Sequence, residues 1–411
     1  MHPGRDHPKL RGVDAFPTEL NGRPVICLRD PTALTEQVAC VPQELGLALS
    51  LMDGRNSLLD IQEAYFRQYG QLLYREILAD LVARLDECAL LDTERARALQ
   101  AEVEAAFRGM RVRPAALAGK SYEADADKLR AALDAFFASP EGPRERTAAA
   151  TGDRPLRGAI VPHIDLGRGG PCYAWGYQQV RDRCDADLFL VFGVAHGGLP
   201  GRFGVTRKDF ATPFGTLETD QAFVDHLVAR CGAAILEGEL AHRGEHSIEF
   251  QAVFLQYLFG GRREIRFVPI LCGSFHELIA AGRSPGGDPG VERFVEAVGE
   301  GISCRGGRVC VLAGADLAHM GPRFGDPRPL GPAAFRSLEA ADRAMLAHVE
   351  RGDAEGFFDS VRREGDRRRI CGLAPIYLTV RTAGGDRGTL LKYAQWPDPQ
   401  ATVTFASVAL E

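Results

Sequence analysis

The sequence predicts an α/β protein, a central sheet flanked by helices, preceded by a small α+β module. Two observations carry this fold class. Four short apolar stretches between residues 159 and 319, AIVPHID, LFLVFGVAH, RFVPILCG and VCVLAGADLAH, each run into a polar or ligand-type residue. Apolar runs of this length read as strands buried on both faces, and in open sheets of this kind ligands bind at the carboxyl ends of the strands. The first hundred residues carry a different pattern, with apolar residues recurring at helical spacing behind a hairpin signal.

Size and charge narrow the class further. With 411 residues, 45% hydrophobic and 25% charged, the chain exceeds a single core, and two domains are expected. A formal net charge of −6 leaves no electrostatic footprint for a nucleic acid. The run Arg367, Arg368 and Arg369 reads as a solvated surface. Ten cysteines lack paired spacing, and the opening MHPGRDHPKL lacks the apolar core of a signal peptide. No apolar stretch is long enough to span a bilayer. A reduced, cytoplasmic protein without membrane contact is expected, with most cysteines acting as small buried hydrophobes.

Residues 1–92 form the small module, which loosely resembles a winged helix. Phe16 to Leu20 and Pro24 to Leu28 flank Asn21-Gly22, a two-residue hairpin turn. Helices follow at 43–53, 57–69 and 74–91, with Gly54 and Gly70 as stops. Leu85 to Asp92 reads as a helix running into a short strand. An Ala-, Glu- and Arg-rich helix over 93–111 connects this module to an α/β domain over 112–411. Within that domain, 139–156 and Gly282 to Gly290 read as loops.

The strand ends assemble the chemistry. His163, His196, Asp316 and His319 follow apolar runs, and RICGLAPIYLTV places Cys371 just before a helix. Imidazoles, a thiol and carboxylates in one pocket are metal-site chemistry. A thiol at a helix amino terminus is expected to have a depressed pKa. For any one of the ten cysteines taken alone, simple burial is the better reading.

From Arg113 onward the motifs are ordered and specific. They are Arg113-Pro114-Ala115, Ala118 to Tyr122, Val161-Pro162-His163, Phe192 to His196, Thr212 to Gly215, Glu245-His246-Ser247-Ile248-Glu249, Val268-Pro269-Ile270, Asp316-Leu317-Ala318-His319, Ile370-Cys371-Gly372, Tyr393-Ala394-Gln395 and Phe405-Ala406-Ser407. This series resembles the Memo family, and within it the bacterial members of the AmmeMemoRadiSam system. The resemblance implies a fold like that of the class III extradiol dioxygenases and a metal held by two histidines and a cysteine. By motif these fall on His163, His196 and Cys371, with Fe(II) or Cu as the expected ion and Zn as the remaining option. It also implies a radical SAM enzyme and an AMMECR-type protein as partners.

The chain departs from the family pattern at Ile164-Asp165-Leu166, where Ala-Gly-Tyr is common, and at Val194-Ala195, where Pro-Ser is common. Asp165 is then open to three roles: coordinating the metal, orienting His163, or binding Arg168. On a turn, Asp316 and His319 would face one pocket, with His319 as proton donor or acceptor; the plainer role for Asp316 is to cap nearby backbone. Ser247 is the expected N-cap of a helix carrying Phe250, Val253, Phe254, Tyr257 and Leu258. Glu245 and His246 would lie before it, either facing the cleft as catalytic groups or binding the helix's free amides.

Thr212 to Gly215 reads as a turn at the pocket rim, and Trp175 and Trp396 as packing residues. His226, His242, His276 and His348 read as surface or satisfied core positions. The chain lacks a Gly-x-Ser-x-Gly elbow, a phosphate-binding loop and the cysteine spacing of an iron–sulfur radical enzyme. Three functions remain: metal-dependent redox or oxygen chemistry on a small molecule, a non-catalytic adaptor whose cleft binds a peptide or partner, and a zinc-dependent hydrolase with Asp316 or Glu245 as base.

Overall fold

A computed structural model describes residues 6–32, 34–144, 154–306 and 308–411. The chain divides into two compact units, residues 1–109 and 110–411. Half of the loop expected over 139–156 lies outside the described residues, as does the start of the amino-terminal segment.

In the first unit, β1 (Asp14–Leu20), β2 (Arg23–Arg29) and β3 (Ala39–Pro42) form a three-stranded antiparallel sheet. Leu20 pairs with Arg23 across Asn21 and Gly22, whose φ values of 51° and 73° are the left-handed pair a tight hairpin turn requires. Helices α1 (Gly46–Ser50), α2 (Leu58–Tyr69), α3 (Arg75–Glu87) and α4 (Glu94–Gly109) follow. Ser57 and Asp60 form a capping box at the start of α2, and Gly70 closes it in the left-handed conformation. The strand expected after Leu85 does not form. Ala89 turns the chain with φ 54°, Leu90 and Leu91 bury, and only a single bridge joins Leu91 to Leu10.

The second unit opens with β4 (Val112–Arg113), α5 (Ala126–Ala138), β5 (Gly158–Val161), α6 (Leu166–Arg183) and β6 (Leu188–Val194). Next come β7 (Phe203–Val205), β8 (Asp209–Thr212), β9 (Gly215–Thr219), α7 (Gln221–Cys231), α8 (His246–Phe259) and β10 (Arg266–Cys272). It continues through α9 (His276–Ala280), α10 (Pro289–Cys304), β11 (Val309–Gly314), β12 (His319–Met320), α11 (Pro332–Val349) and α12 (Ala354–Arg363). It closes with α13 (Leu373–Thr382), β13 (Gly388–Trp396) and β14 (Thr402–Leu410).

These strands build one mixed sheet in the order β12-β14-β5-β11-β6-β10-β9-β8-β4, with β13 on β14 and β7 on β10. Its centre, β5-β11-β6-β10, is parallel. Along β6, Leu188, Leu190 and Phe192 pack towards α7, α10 and α13, while Phe189 and Val191 pack towards α6 and α8. Burial on both faces accounts for the continuous apolar runs in the sequence.

The arginine run is not the solvated surface its composition suggests. Arg367 is exposed, but Arg368 is buried against Asp342 and Glu364, and Arg369 donates to Asp326 and to the His319 carbonyl. A buried carboxylate on α11, which no local pattern reveals, draws Arg368 inward. Tyr393 and Thr404 donate to the same Asp342 carboxylate at 2.9 and 2.7 Å. The segment leading to Cys371 is thereby tied to β13 and β14.

Candidate metal centre

Three adjacent parallel strands deliver the central side chains. His163 lies two residues past β5, Asp316 two past β11 and His196 two past β6. Gly314 pairs with Val161 and Ala313 with Phe192, so all three strands end together.

Helix α8 brings a further imidazole. Its first residue is His246 and its N-cap is Glu245, whose carboxylate accepts from the Ser247 amide at 2.9 Å. The helix therefore starts earlier than Ser247, because the longer Glu245 side chain folds back over the first turn. Ser247 serves instead as a bolt: its hydroxyl accepts from the Val194 amide at 3.0 Å and donates to the Val194 carbonyl at 3.1 Å. Close approach depends on two glycines. A Cβ at Gly193 would stand 2.5 Å from Ser247 Oγ, and one at Gly314 2.3 Å from the Ser247 carbonyl oxygen. Gln251, one turn on, donates to the Pro162 carbonyl at 3.0 Å and ties α8 to the end of β5.

The result is a cluster in which His163, His196 and His246 each offer a ring nitrogen within 4.8 Å of the others. The His196 and His246 rings stack at 4.6 Å, and His163 stands edge-on to both at 5.0 and 5.2 Å. His163 is fully enclosed, whereas the His196 and His246 side chains retain 38% and 34% exposure, so the cluster opens on their side.

Hydrogen bonds fix the tautomers. His163 Nδ1 is 2.9 Å from the Gly314 carbonyl, which only accepts, so Nδ1 carries the proton and Nε2 the lone pair. His196 Nδ1 lies 2.9 and 3.1 Å from the two Glu245 oxygens, and His246 Nδ1 3.2 Å from one of them. Burial pushes the Glu245 carboxyl up, but the His196 and His246 imidazoles and the Ser247 amide outweigh it and hold it below the usual range. An ionised Glu245 accepts from His196 Nδ1, leaving Nε2 as that ring's lone-pair nitrogen.

Cys371 stands against His163. Its Sγ is 3.4 Å from His163 Nε2, and since that nitrogen accepts, the thiol donates. The depressed pKa expected at a helix start is not found: burial, with Asp316 nearby, pushes the thiol well above its ordinary value. Gly372 is the N-cap of α13, and desolvation overrides the helix dipole at the residue before it. Burial likewise lowers His163, and takes His246 and His319 down to about 4.

Asp316 faces His163. Its Oδ1 accepts from the His163 amide at 2.9 Å and Oδ2 stands 3.7 Å from His163 Nε2, while burial raises the carboxyl to about 7. His319 does not share a helical turn with Asp316, because the chain stays extended and His319 pairs with Val403 in β12. Its ring meets Phe324 edge-on at 5.1 Å and its Nδ1 lies 3.3 Å from the Leu317 carbonyl. Asp165 is exposed and caps α6 through the Gly167 amide, while Arg168 lies 5.1 Å over the Trp396 ring. Thr212 to Gly215 forms the β8–β9 hairpin turn, with Phe214 tilted against Tyr257.

Glu249 closes the Glu245-His246-Ser247-Ile248-Glu249 motif. It is fully buried, accepts from the Leu117 amide at 2.9 Å and the Tyr122 hydroxyl at 2.5 Å, and pairs with Arg113. The signal was present, since Arg113, Tyr122 and Glu249 all fall within the ordered motifs.

Comparison with known proteins agrees with the motif reading. The family of Memo-like proteins matches residues 113–409. A MEMO1 family protein of Aquifex aeolicus is 26% identical over 370 residues, covering 89% of this chain and 90% of its own. That alignment is longer than the second unit, so it extends into the first. A MEMO1 family protein of Methanopyrus kandleri is 31% identical over 288 residues, covering 69% of this chain and 91% of its own. One from Thermus thermophilus is 30% identical over 306 residues, covering 74% and 83%. The sheet, the motif order and these matches together identify the chain as a member of the Memo family.

Proposed function

We propose that this protein binds a redox-active metal ion, iron or copper, and carries out oxygen-dependent chemistry on a small molecule in the cytoplasm. The observation that carries this reading is the convergence of His163, His196 and His246, with Cys371 against His163 Nε2. In it, His163, His196 and Cys371 are ligands and His246 is a further imidazole donor. Imidazoles with a thiol suit Fe(II), Cu(I) or Zn(II) and disfavour Mg or Ca. Such an ion, when bound, supplies Lewis acidity and positions for an exogenous ligand.

The chain's own residues have separable roles. The Gly314 carbonyl and Glu245 orient imidazoles, so Glu245 is better suited to positioning than to acting as a base, its oxygens being taken up by His196 and Ser247. Asp316, raised to about 7 beside His163, and His319 are the acid–base groups of this reading. Iron or copper held by these residues would supply redox chemistry that Zn(II) cannot.

One feature favours a second role, as an adaptor. Among the described residues, the exposed large hydrophobics other than Met110 all lie in the first unit, among them Leu59, Phe66, Leu72, Tyr74 and Ile77. Such a surface suits partner proteins, for which a radical SAM enzyme and an AMMECR-type protein are the proposed identities.

Metal analysis of anaerobically purified wild type and the His163→Ala, His196→Ala and Cys371→Ser variants tests the main reading, followed by oxygen uptake with candidate substrates. Near-stoichiometric iron or copper, lost in the variants, is expected. Protein that binds no metal yet still captures its partners would leave only the adaptor.

A further inference from the structure

We propose that Cys27 and Cys40, in the first unit, form a dithiol site that closes reversibly to a disulfide by exchange with a low-molecular-weight disulfide. The two residues face each other directly in the antiparallel β2–β3 pair, within a register that runs from Val25↔Pro42 to Leu28↔Ala39. Their sulfurs are in contact at 2.7 Å. Cys27 is buried and Cys40 exposed, so one thiol meets the reagent and the other waits beneath it.

The chain leaves β2 at a buried carboxylate. Asp30, itself buried, accepts from the Thr32 amide at 2.9 Å and the Leu34 amide at 3.1 Å, and pairs with Arg11. This anchors the chain as it leaves β2, while the β2–β3 ladder itself sets Cys27 opposite Cys40. Cys40 also lines a groove of about 720 Å³ between β3 and α3, with Val41, Leu45, Ile77, Leu81 and Leu85 among its walls. Closing the bond therefore fixes the β3 wall of that groove.

The exchange balances in two displacements. Cys40 attacks one sulfur of the reagent disulfide, that S–S bond breaks, and one reduced thiol leaves with the proton Cys40 gives up. Cys27 then attacks the Cys40 sulfur of the mixed disulfide and releases the second reagent thiol with its own proton. Two protein thiols are oxidised by two electrons, and one reagent disulfide is reduced to two thiols.

Folded full-length protein treated with oxidised glutathione and mapped without reduction is the test. Wild type should yield a peptide linking Cys27 to Cys40 that dithiothreitol dissolves. Cys27→Ser should stop at a glutathione adduct on Cys40, and Cys40→Ser should leave Cys27 unmodified. A persistent adduct on Cys40 in wild type with no linked peptide, or no reaction at either cysteine, would overturn the proposal.

Discussion

Arg113 and Glu249 form an ion pair at 2.6 Å in which both side chains are wholly shielded from solvent. The guanidinium also donates to the His242 carbonyl at 2.5 Å and the Glu245 carbonyl at 3.0 Å, and it lies 4.7 Å over the Phe210 ring. One arginine on the edge strand β4 thus secures the backbone on which Glu245 and His246 stand.

Breaking such a pair leaves an uncompensated buried charge, which costs about 3–5 kcal/mol. Arg113→Met should lower unfolding free energy by that order, and adding Glu249→Gln should restore part of it. Denaturant titration of the two singles and the double measures the coupling. Strict additivity would show that the two side chains act separately.

Glu245→Gln keeps the shape but removes the charge that holds the His196 Nδ1 proton. Loss of an orienting partner of this kind lowers metal affinity by roughly 10–100-fold. Competition against a chelator should show that drop with iron or copper, with little change in the far-ultraviolet circular dichroism. Unchanged affinity would mean that Glu245 serves the helix cap alone.

Cys371→Ser and His246→Ala test the two further donors of the proposed metal site separately. With copper or cobalt bound, a thiolate-to-metal absorption band should vanish in Cys371→Ser and survive in His246→Ala, while both variants bind more weakly. A band absent from wild type would remove Cys371 from the ligand set.

His242 supplies a pH dependence of its own. Burial pushes its imidazole down to about 3, and its Nε2 donates to the Gly204 carbonyl. An unfolded histidine takes up its proton near about 6.5, so between these values the unfolded state holds more protons. The His242 contribution is complete above about pH 6.5 and is lost as pH falls towards the folded value. Unfolding free energies of wild type and His242→Gln should therefore converge on acidification, by up to about 1.4 kcal/mol per pH unit. A constant difference between about pH 7 and about pH 5 would refute the assignment.

Much of the fold was legible because burial on both faces writes strands as apolar runs. The hairpin at Asn21-Gly22 was legible because only residues tolerant of positive φ fit it. The α8 cap at Glu245 is not legible locally, because Ser247 has the local chemistry of a cap. Its hydroxyl is committed instead to Val194, 53 residues away. The burial of Arg368 is hidden for the same reason, since its partner Asp342 lies 26 residues away on α11.

By itself, then, the sequence determined the α/β class, the strand ends bearing His163, His196 and Asp316, and the ordered motifs that mark the family. These are properties of short segments, set by periodicity and backbone preference. The tertiary structure alone decided that His246 joins the imidazole cluster, that Asp316 faces His163, and that the Cys371 thiol is raised. It also decided that Arg113 finds Glu249 across 136 residues. Packing sets which side chains meet and how far each is removed from water. Protonation and donor geometry follow from that removal.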